Sequence, residues 1–413
     1  MCAMKTKRPP LLPIIGCLVA MVCVGVIYLW SVLKSATMEY YGFTKSAANL
    51  IASFMMFAFC VGNFAGGAMN DRIGPKRVSF IGVIAFGVGV FLSSCLKTGC
   101  SVWLFYLTYS VIGGLGVGIA YGAILSCIQK WFPHKRGFAS GLACCFFGLG
   151  TVVFSPVINS LLGKMTVSAT LRLLSVVFLV VGLAACFAIR LPDTEYLAAL
   201  PKPAPKKSAI VARKDYTLGE AIKTVPFWCM LLNIFFYNGT WNMLNPLIRQ
   251  LGEERGLASG VAVLCVSLTG VFNAGGRLIM ATVSDKIGRT TTVILLSVVT
   301  IVCAILLTFV GGPVYLIVVL ITAFAFGGPS AVNPATSTDI FGAKYSGTNY
   351  GVIMLGLGFS SIVFNAISNK LNEMTGAYTW TFIIGAVTAA ITIVLMVIID
   401  LWLKKQKQSE PAE

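Results

Sequence analysis

Twelve apolar runs, most near or above the ~20 residues that a helix needs to cross a bilayer, leave this chain few ways to fold. They lie at roughly 11–33, 46–69, 78–96, 102–128, 138–162, 170–190, 226–248, 259–283, 291–311, 314–338, 348–370 and 378–402. Backbone inside hydrocarbon must satisfy its own hydrogen bonds, and a long unbroken apolar run does so as a helix. Composition agrees. Only 11% of residues are charged and mean hydropathy is +0.88, whereas a soluble chain carries about a quarter charged residues. The expectation is an all-α membrane protein with 12 transmembrane helices.

A net charge of +17 would suit nucleic acid, but the positions of the charges argue against it. With the N-terminus placed in the cytoplasm, 22 of the 31 Lys and Arg fall on the inner side and 7 on the outer. That asymmetry is the positive-inside rule. It predicts a multi-pass protein of a plasma membrane of the bacterial inner-membrane type, with both termini cytoplasmic and no nucleic-acid partner. Of 13 cysteines, 11 fall inside spans, where cysteine behaves as a small apolar residue. Only Cys95 and Cys100 are placed so that they could pair. The first span is too long for a cleavable signal peptide, and no small-residue cleavage site follows it.

The longest polar stretch, 191–225, is rich in Pro and Lys and splits the chain six spans plus six. Its middle reads as an extended linker. Thr217 followed by Glu220 is a capping-box pattern for a short surface helix. This organisation predicts bundles at 1–190 and 226–402, a cytoplasmic linker at 191–225 and a cytoplasmic tail at 403–413. The halves echo each other: GGAMNDRIGPKR (66–77) follows the second span, and ATVSDKIGRTTT (281–292) follows the eighth. Such internal symmetry marks transporters whose substrate site lies near the midplane between the halves. Asp71 with Arg72, and Asp285 with Lys286 and Arg289, are the expected gating groups. They sit at helix ends, able to hold neighbouring helices in one conformation and release them in another.

The loop from Gly67 to Arg77 resembles the signature loop of the major facilitator superfamily, with Ala281 standing in the second copy where the glycine would be. A closer resemblance covers nearly the whole chain. GVGIAYGAILSCIQKWFPHKRGFASG (116–141), SDKIGR (284–289) and TDIFGAKYSGTNYG (338–351) are similar to the oxalate/formate antiporter family within that superfamily. The resemblance implies the major facilitator fold, two pseudo-symmetric six-helix bundles, and exchange or symport of small carboxylates such as oxalate, formate, lactate or pyruvate.

Within the eighth span stands Arg277, in FNAGGRLIMATVSDKIGR (272–289). A charge in hydrocarbon is costly and marks function by default. Asp285 lies eight residues on, about 12 Å along a helix at 1.5 Å per residue, so it belongs at the rim and Arg277 well inside. The other spans hold no Asp or Glu at comparable depth. An arginine fork binds a carboxylate through two parallel hydrogen bonds and keeps its proton. Asn273, four residues earlier, shares its helical face, and Gly275 and Gly276 allow close approach. The alternative is a structural arginine that caps carbonyls of a neighbouring helix. The family resemblance makes Arg277 the carboxylate-binding position, and it aligns Tyr28 and Tyr121 with pore-facing tyrosines. Span seven carries Asn233, Tyr237, Asn238, Thr240, Trp241, Asn242 and Asn245, part of which is expected to line the path.

The departures from the family bear on substrate. Its oxalate exchangers carry a lysine in span eleven, and that position here is Leu357. A span-ten tyrosine falls on Ser330, and a span-five tyrosine on Phe147. One deep cation suits one carboxylate, so the expected function is a secondary active carrier of lactate, pyruvate or formate. It would work by alternating access, as proton symport or carboxylate exchange, with Arg277, Asn273, Tyr121 and Tyr28 on the substrate. Gly-rich runs at 113–118 and 148–150 permit close helix packing. The lone His134 sits in a loop and is not the expected proton carrier. The partners expected are thus the substrate, the lipid bilayer and, in symport, protons; no cofactor or metal is called for, and a monomer is expected. Competing readings are an oxalate/formate exchanger, an exporter of apolar or cationic compounds on the same fold, and a non-transporting sensor. An enzyme is not expected, because no nucleophile–base pair or metal-ligand cluster falls in the spans.

Overall fold

A computed structural model describes residues 11–200, 214–375 and 378–408, except the side chains of Tyr28, Lys45, Asn369, Asn372, Lys407 and Gln408. The middle of the linker, expected to be extended, lies outside the described residues, as does the end of the tail. Among those described the secondary structure is helical, with no strand. Ten helices are individually long and apolar enough to cross a membrane. In the first half these are Ser46–Ile73, Pro75–Ser94, Val102–Trp131, Arg136–Leu162 and Val167–Ala188. In the second half they are Ser259–Ile287, Arg289–Phe309, Gly312–Phe341, Ser346–Thr375 and Thr379–Gln406.

The remaining two spans differ for physical reasons. The first is bent, with Leu11–Ile27 and Trp30–Tyr41 meeting at 45°. At the bend Gly25 lies on the backbone of Phe147, where a Cβ would overlap the Phe147 carbonyl. The seventh, Val225–Leu244, carries too many amides to read as purely apolar, and ends where Asn245–Leu247 and Pro246 turn the chain into Ile248–Glu254. Three of its polar groups stitch helices together. Asn242 Nδ2 donates to Ser360 Oγ (3.1 Å), Thr240 Oγ1 to the Gly385 carbonyl (2.9 Å), and Asn233 Nδ2 to Asn333 Oδ1 (3.1 Å).

The helix ends next to the repeated loops match. Spans two and eight both stop at a glycine in the left-handed region, Gly74 (φ +82°) and Gly288 (φ +99°), where a side chain would be strained. Each turns the chain at once into the next span. The Thr217–Glu220 cap is present: the Glu220 carboxylate accepts from the Thr217 N–H at 2.9 Å. That bond, with help from Lys214, pulls its pKa down to about 2. Just before it the linker docks on the second half. Tyr216 N donates to the Phe341 carbonyl (2.8 Å), Asn349 Nδ2 to the Tyr216 carbonyl (2.9 Å), and Lys344 N to Asp215 Oδ1 (3.0 Å). The last helix continues to Gln408, past its expected end at 402, with Asp400 and Lys404 paired one turn apart (2.7 Å). The described cysteines, Cys95 and Cys100 included, are free thiols.

Candidate functional site

Arg277 is buried, 6% exposed, on the face of span eight that packs against spans five and ten. Small residues make that depth possible. Gly276 lies on the Phe324 backbone, Gly327 on the Asn273 carbonyl, and Gly141 on the Arg277 carbonyl. The guanidinium passes beside Gly148, where an added Cβ would stand 3.5 Å from Nη1. Arg277 Nε donates to Asn273 Oδ1 (2.8 Å), the i, i+4 partner expected from sequence, and Nη1 donates to the Cys144 carbonyl (2.9 Å). Asn273 therefore spends its oxygen on the arginine, leaving its NH₂ as the group able to donate. Cys144 belongs to span five, so the arginine reaches from the second half of the chain to the first. Carbonyl capping, the structural alternative, is thus part of what Arg277 does here.

Around the guanidinium lie groups from both halves. Tyr121 in span four is buried, its hydroxyl 3.3 Å from Cys144 Sγ. Its ring packs edge-on against Phe147 (4.9 Å) and Phe59 (5.3 Å). Tyr28 lies in the bend of the first span, and its side chain is outside the described residues. Sequence reasoning did not single out Cys144, whose thiol also approaches the Ser330 carbonyl (4.0 Å), or Tyr350 of the NYG motif. The charge of Arg277 reaches Tyr121, Tyr237 and Tyr350. The signal for Cys144 was the small-residue run GLACCFFGLG (141–150). A backbone carbonyl, however, has no sequence signature of its own. Leu357, at the position of the family's second cation, packs against the apolar core.

About 12 Å along span eight from Arg277, the two halves are bonded together at the signature-loop face. Asp285 accepts from the Gly137 N–H (Oδ1, 3.1 Å) and the Phe138 N–H (Oδ2, 2.9 Å) at the start of span five. A carboxylate there meets the positive end of the helix dipole. Arg289 Nη2 pairs with Asp285 (2.8 Å) and Arg289 Nε with Asp339 (3.0 Å). Arg136 of the first half also pairs with Asp339 (3.0 Å), a residue that the sequence did not single out. Asp71 Oδ2 accepts from Thr348 N (3.2 Å) and Thr348 Oγ1 (2.7 Å) at the start of span eleven. Arg72 and Lys286 are exposed beside this network and form none of its bonds. Thr338 Oγ1 donates to Gln129 Oε1 (2.9 Å) between the two clusters.

Comparison with known proteins fits this architecture. Residues 15–365 match the Major Facilitator Superfamily. The chain is 30% identical over 376 residues to the oxalate:formate antiporter of Oxalobacter formigenes, covering 90% of this chain and 86% of that one. It is 26% identical over 392 residues to apicoplast pyruvate carrier 1 of Toxoplasma gondii, covering 78% and 69%. Among solved structures, the transporter FucP in its outward conformation superposes with a TM-score of 0.71 at 15% identity, covering 93% of this chain and 97% of that one. The proton:xylose symporter XylE superposes with a TM-score of 0.69 at 14% identity, covering 93% and 94%.

Proposed function

Because this chain belongs to the Major Facilitator Superfamily and, within it, to the oxalate/formate antiporter family, we propose that the small molecule it carries across the membrane is a monocarboxylate: lactate, pyruvate or formate. The observation that carries the reading is the Arg277 fork, buried between the halves and donating, among the described residues, to Asn273 Oδ1 and the Cys144 carbonyl, both neutral acceptors. A carboxylate is a stronger acceptor than a carbonyl, and hydrogen bonds to charged groups are worth ~1.5–3 kcal/mol. An entering carboxylate takes Nη1 from Cys144 and receives a second bond from the Asn273 NH₂. The exchange loosens a bond between the halves at the moment the substrate binds. Tyr121, and Tyr28 by family resemblance, supply the first half's contacts.

The sealed signature-loop face is cytoplasmic under the positive-inside orientation, which puts both termini in the cytoplasm. Alternating access then requires Asp285, Asp71, Arg289 and their partners to part, as one bundle rocks against the other about the site. Movement proceeds as carboxylate exchange or as symport with a proton. The unit is a monomer in a plasma membrane of the bacterial inner-membrane type. Leu357, packed against the apolar core, offers no second cation, which disfavours the dianion oxalate even though one relative is named an oxalate:formate antiporter.

Uptake by proteoliposomes of labelled lactate, pyruvate, formate and oxalate tests this. The expected result is saturable monocarboxylate uptake, abolished in Arg277→Ala and partly kept in Arg277→Lys. Exchange of oxalate without lactate or pyruvate overturns the substrate assignment, and undiminished uptake by Arg277→Ala overturns the site.

A further inference from the structure

Span seven holds a polar group that the site described so far does not use. Tyr237 is 5% exposed, and its buried hydroxyl makes no hydrogen bond among the described residues. Ser330 stands beside it, its Oγ donating to the Phe326 carbonyl (3.2 Å) and keeping lone pairs that the Tyr237 hydroxyl does not meet in hydrogen-bond geometry. A buried hydroxyl left unbonded costs ~1–3 kcal/mol, and such groups call for an explanation. The ring is not free to turn toward another partner. It stacks nearly parallel on Phe326 (5.3 Å, 10°), which stacks in turn on Trp241 (4.9 Å, 14°). One turn earlier, Asn233 also leaves its Oδ1 unbonded, so two orphaned polar atoms share one helical face at i, i+4 spacing.

The residues around Tyr237 link it to those that hold the arginine. Phe326 adjoins Gly327, which lies on the Asn273 carbonyl one turn from Arg277. Ser330 is the residue whose carbonyl the Cys144 thiol approaches, and Cys144 is the residue whose own carbonyl holds Arg277. The charge of Arg277 reaches Tyr237.

We propose that the Tyr237 hydroxyl donates to the oxygen on carbon 2 of a 2-oxo or 2-hydroxy monocarboxylate whose carboxylate sits on Arg277. This rests on the carboxylate-binding reading of Arg277 and adds a specificity determinant to it. The cation holds the carboxylate end. A neutral donor, fixed by ring stacking, reads the neighbouring carbon. A site built to bond a substrate oxygen discriminates against analogues that lack it, because its own polar group is then left buried and unpaired.

Tyr237→Phe removes the hydroxyl and keeps the ring, so its effect depends on the substrate. In proteoliposomes, the affinity for pyruvate and lactate should fall about 5- to 30-fold, the fold-change of one lost hydrogen bond. The affinity for acetate and formate, which carry no oxygen on a second carbon, should stay within about twofold, as no bond is lost. An equal loss for all four assigns Tyr237 to packing and overturns the inference, as does no change for any. If Tyr237→Phe does not fold, Phe326→Leu, which frees the ring without removing the hydroxyl, must shrink the same pyruvate-to-acetate ratio; an unchanged ratio overturns the inference. Arg277→Ala separates the two levels. Loss of all uptake there, with an unaltered ratio in Tyr237→Phe, removes the tyrosine's role alone, whereas full uptake in Arg277→Ala removes the reading beneath it.

Discussion

The two signature-type loops solve one packing problem with different chemistry. Asp71 and Asp285 stand 214 residues apart, and each caps the first turn of a helix in the opposite half. Asp71 does so at Thr348 of span eleven and Asp285 at Gly137 and Phe138 of span five. The close helix approach is made by different partners. In the first copy Gly67 lies on Gly347, and a Cβ on Gly67 would overlap that residue's carbonyl. In the second copy the equivalent residue is Ala281, and the opposing helix supplies the glycines. A Cβ on Gly137 would overlap the Ala281 carbonyl, and one on Gly141 would stand 2.9 Å from the Ala281 Cβ. The departure from glycine that the sequence shows at 281 is thus compensated across the interface. Charge differs as well. Asp71 binds a neutral hydroxyl and a backbone N–H, whereas Asp285 belongs to an ionic cluster with Arg289, Asp339 and Arg136. The lesson is that pseudo-symmetry preserved the capping geometry, while among the described residues the ionic lock stands on one side only.

Matched substitutions should separate the two sides. The largest effect is expected from Asp285→Asn. It removes the charge opposite Arg289, whose side chain is 9% exposed, and stranding a buried partner costs ~3–5 kcal/mol. Asp339 still holds Arg289, which keeps the loss at the low end of that range. Transport should fall more than about tenfold, since ~1.4 kcal/mol is a tenfold change. Asp71→Asn leaves an oxygen that can accept from Thr348, and should stay within about threefold of wild type by the same conversion. Parallel uptake assays with the two variants check this. Equal losses would mean that the ionic cluster adds nothing to the cap.

The second comparison is steric. Gly67→Ala drives a methyl into the Gly347 backbone, an overpacking that costs ~1–3 kcal/mol. Ala281→Gly opens space against glycines and should cost about 1 kcal/mol, the helix-propensity difference. Melting temperatures in detergent should therefore drop further for Gly67→Ala. The opposite order would show that the helices at Gly67 can separate freely.

Legibility followed the same division. The count of spans, the matching loops and the depth of Arg277 were readable because each leaves a pattern of hydropathy or spacing. The Arg277–Asn273 bond followed from i, i+4 geometry alone. The role of Asp339 is not legible, because its partners, Arg136 and Arg289, are distant in sequence and meet only when the chain packs. Span seven is legible only in part. Of its run of polar residues, Asn242 and Thr240 are committed to neighbouring helices. Composition cannot tell an amide that faces a helix from one that faces a cavity. The Cys144 carbonyl was invisible because every residue has one, and only packing decides which carbonyl an arginine meets.

The smallest expected effect lies in the linker, on the side of the Asp71 contact. Asp215 and Tyr216 bind Lys344 and Asn349, next to Thr348, and the Glu220 cap orders the turn that follows. Because the folded-state pKa of Glu220 is depressed from 4.5 to about 2, its contribution is fully present above 4.5 and fades as pH falls toward 2. Glu220 is exposed, so the effect is modest and weakened by salt. In detergent, wild type should melt slightly above Glu220→Gln at pH 6, with the gap closing on titration from pH 4.5 downward. A gap that persists unchanged to pH 3 would show that the carboxylate charge is not what the cap uses. A gap that closes would mean that the side of the interface without an ionic lock draws part of its hold from the linker.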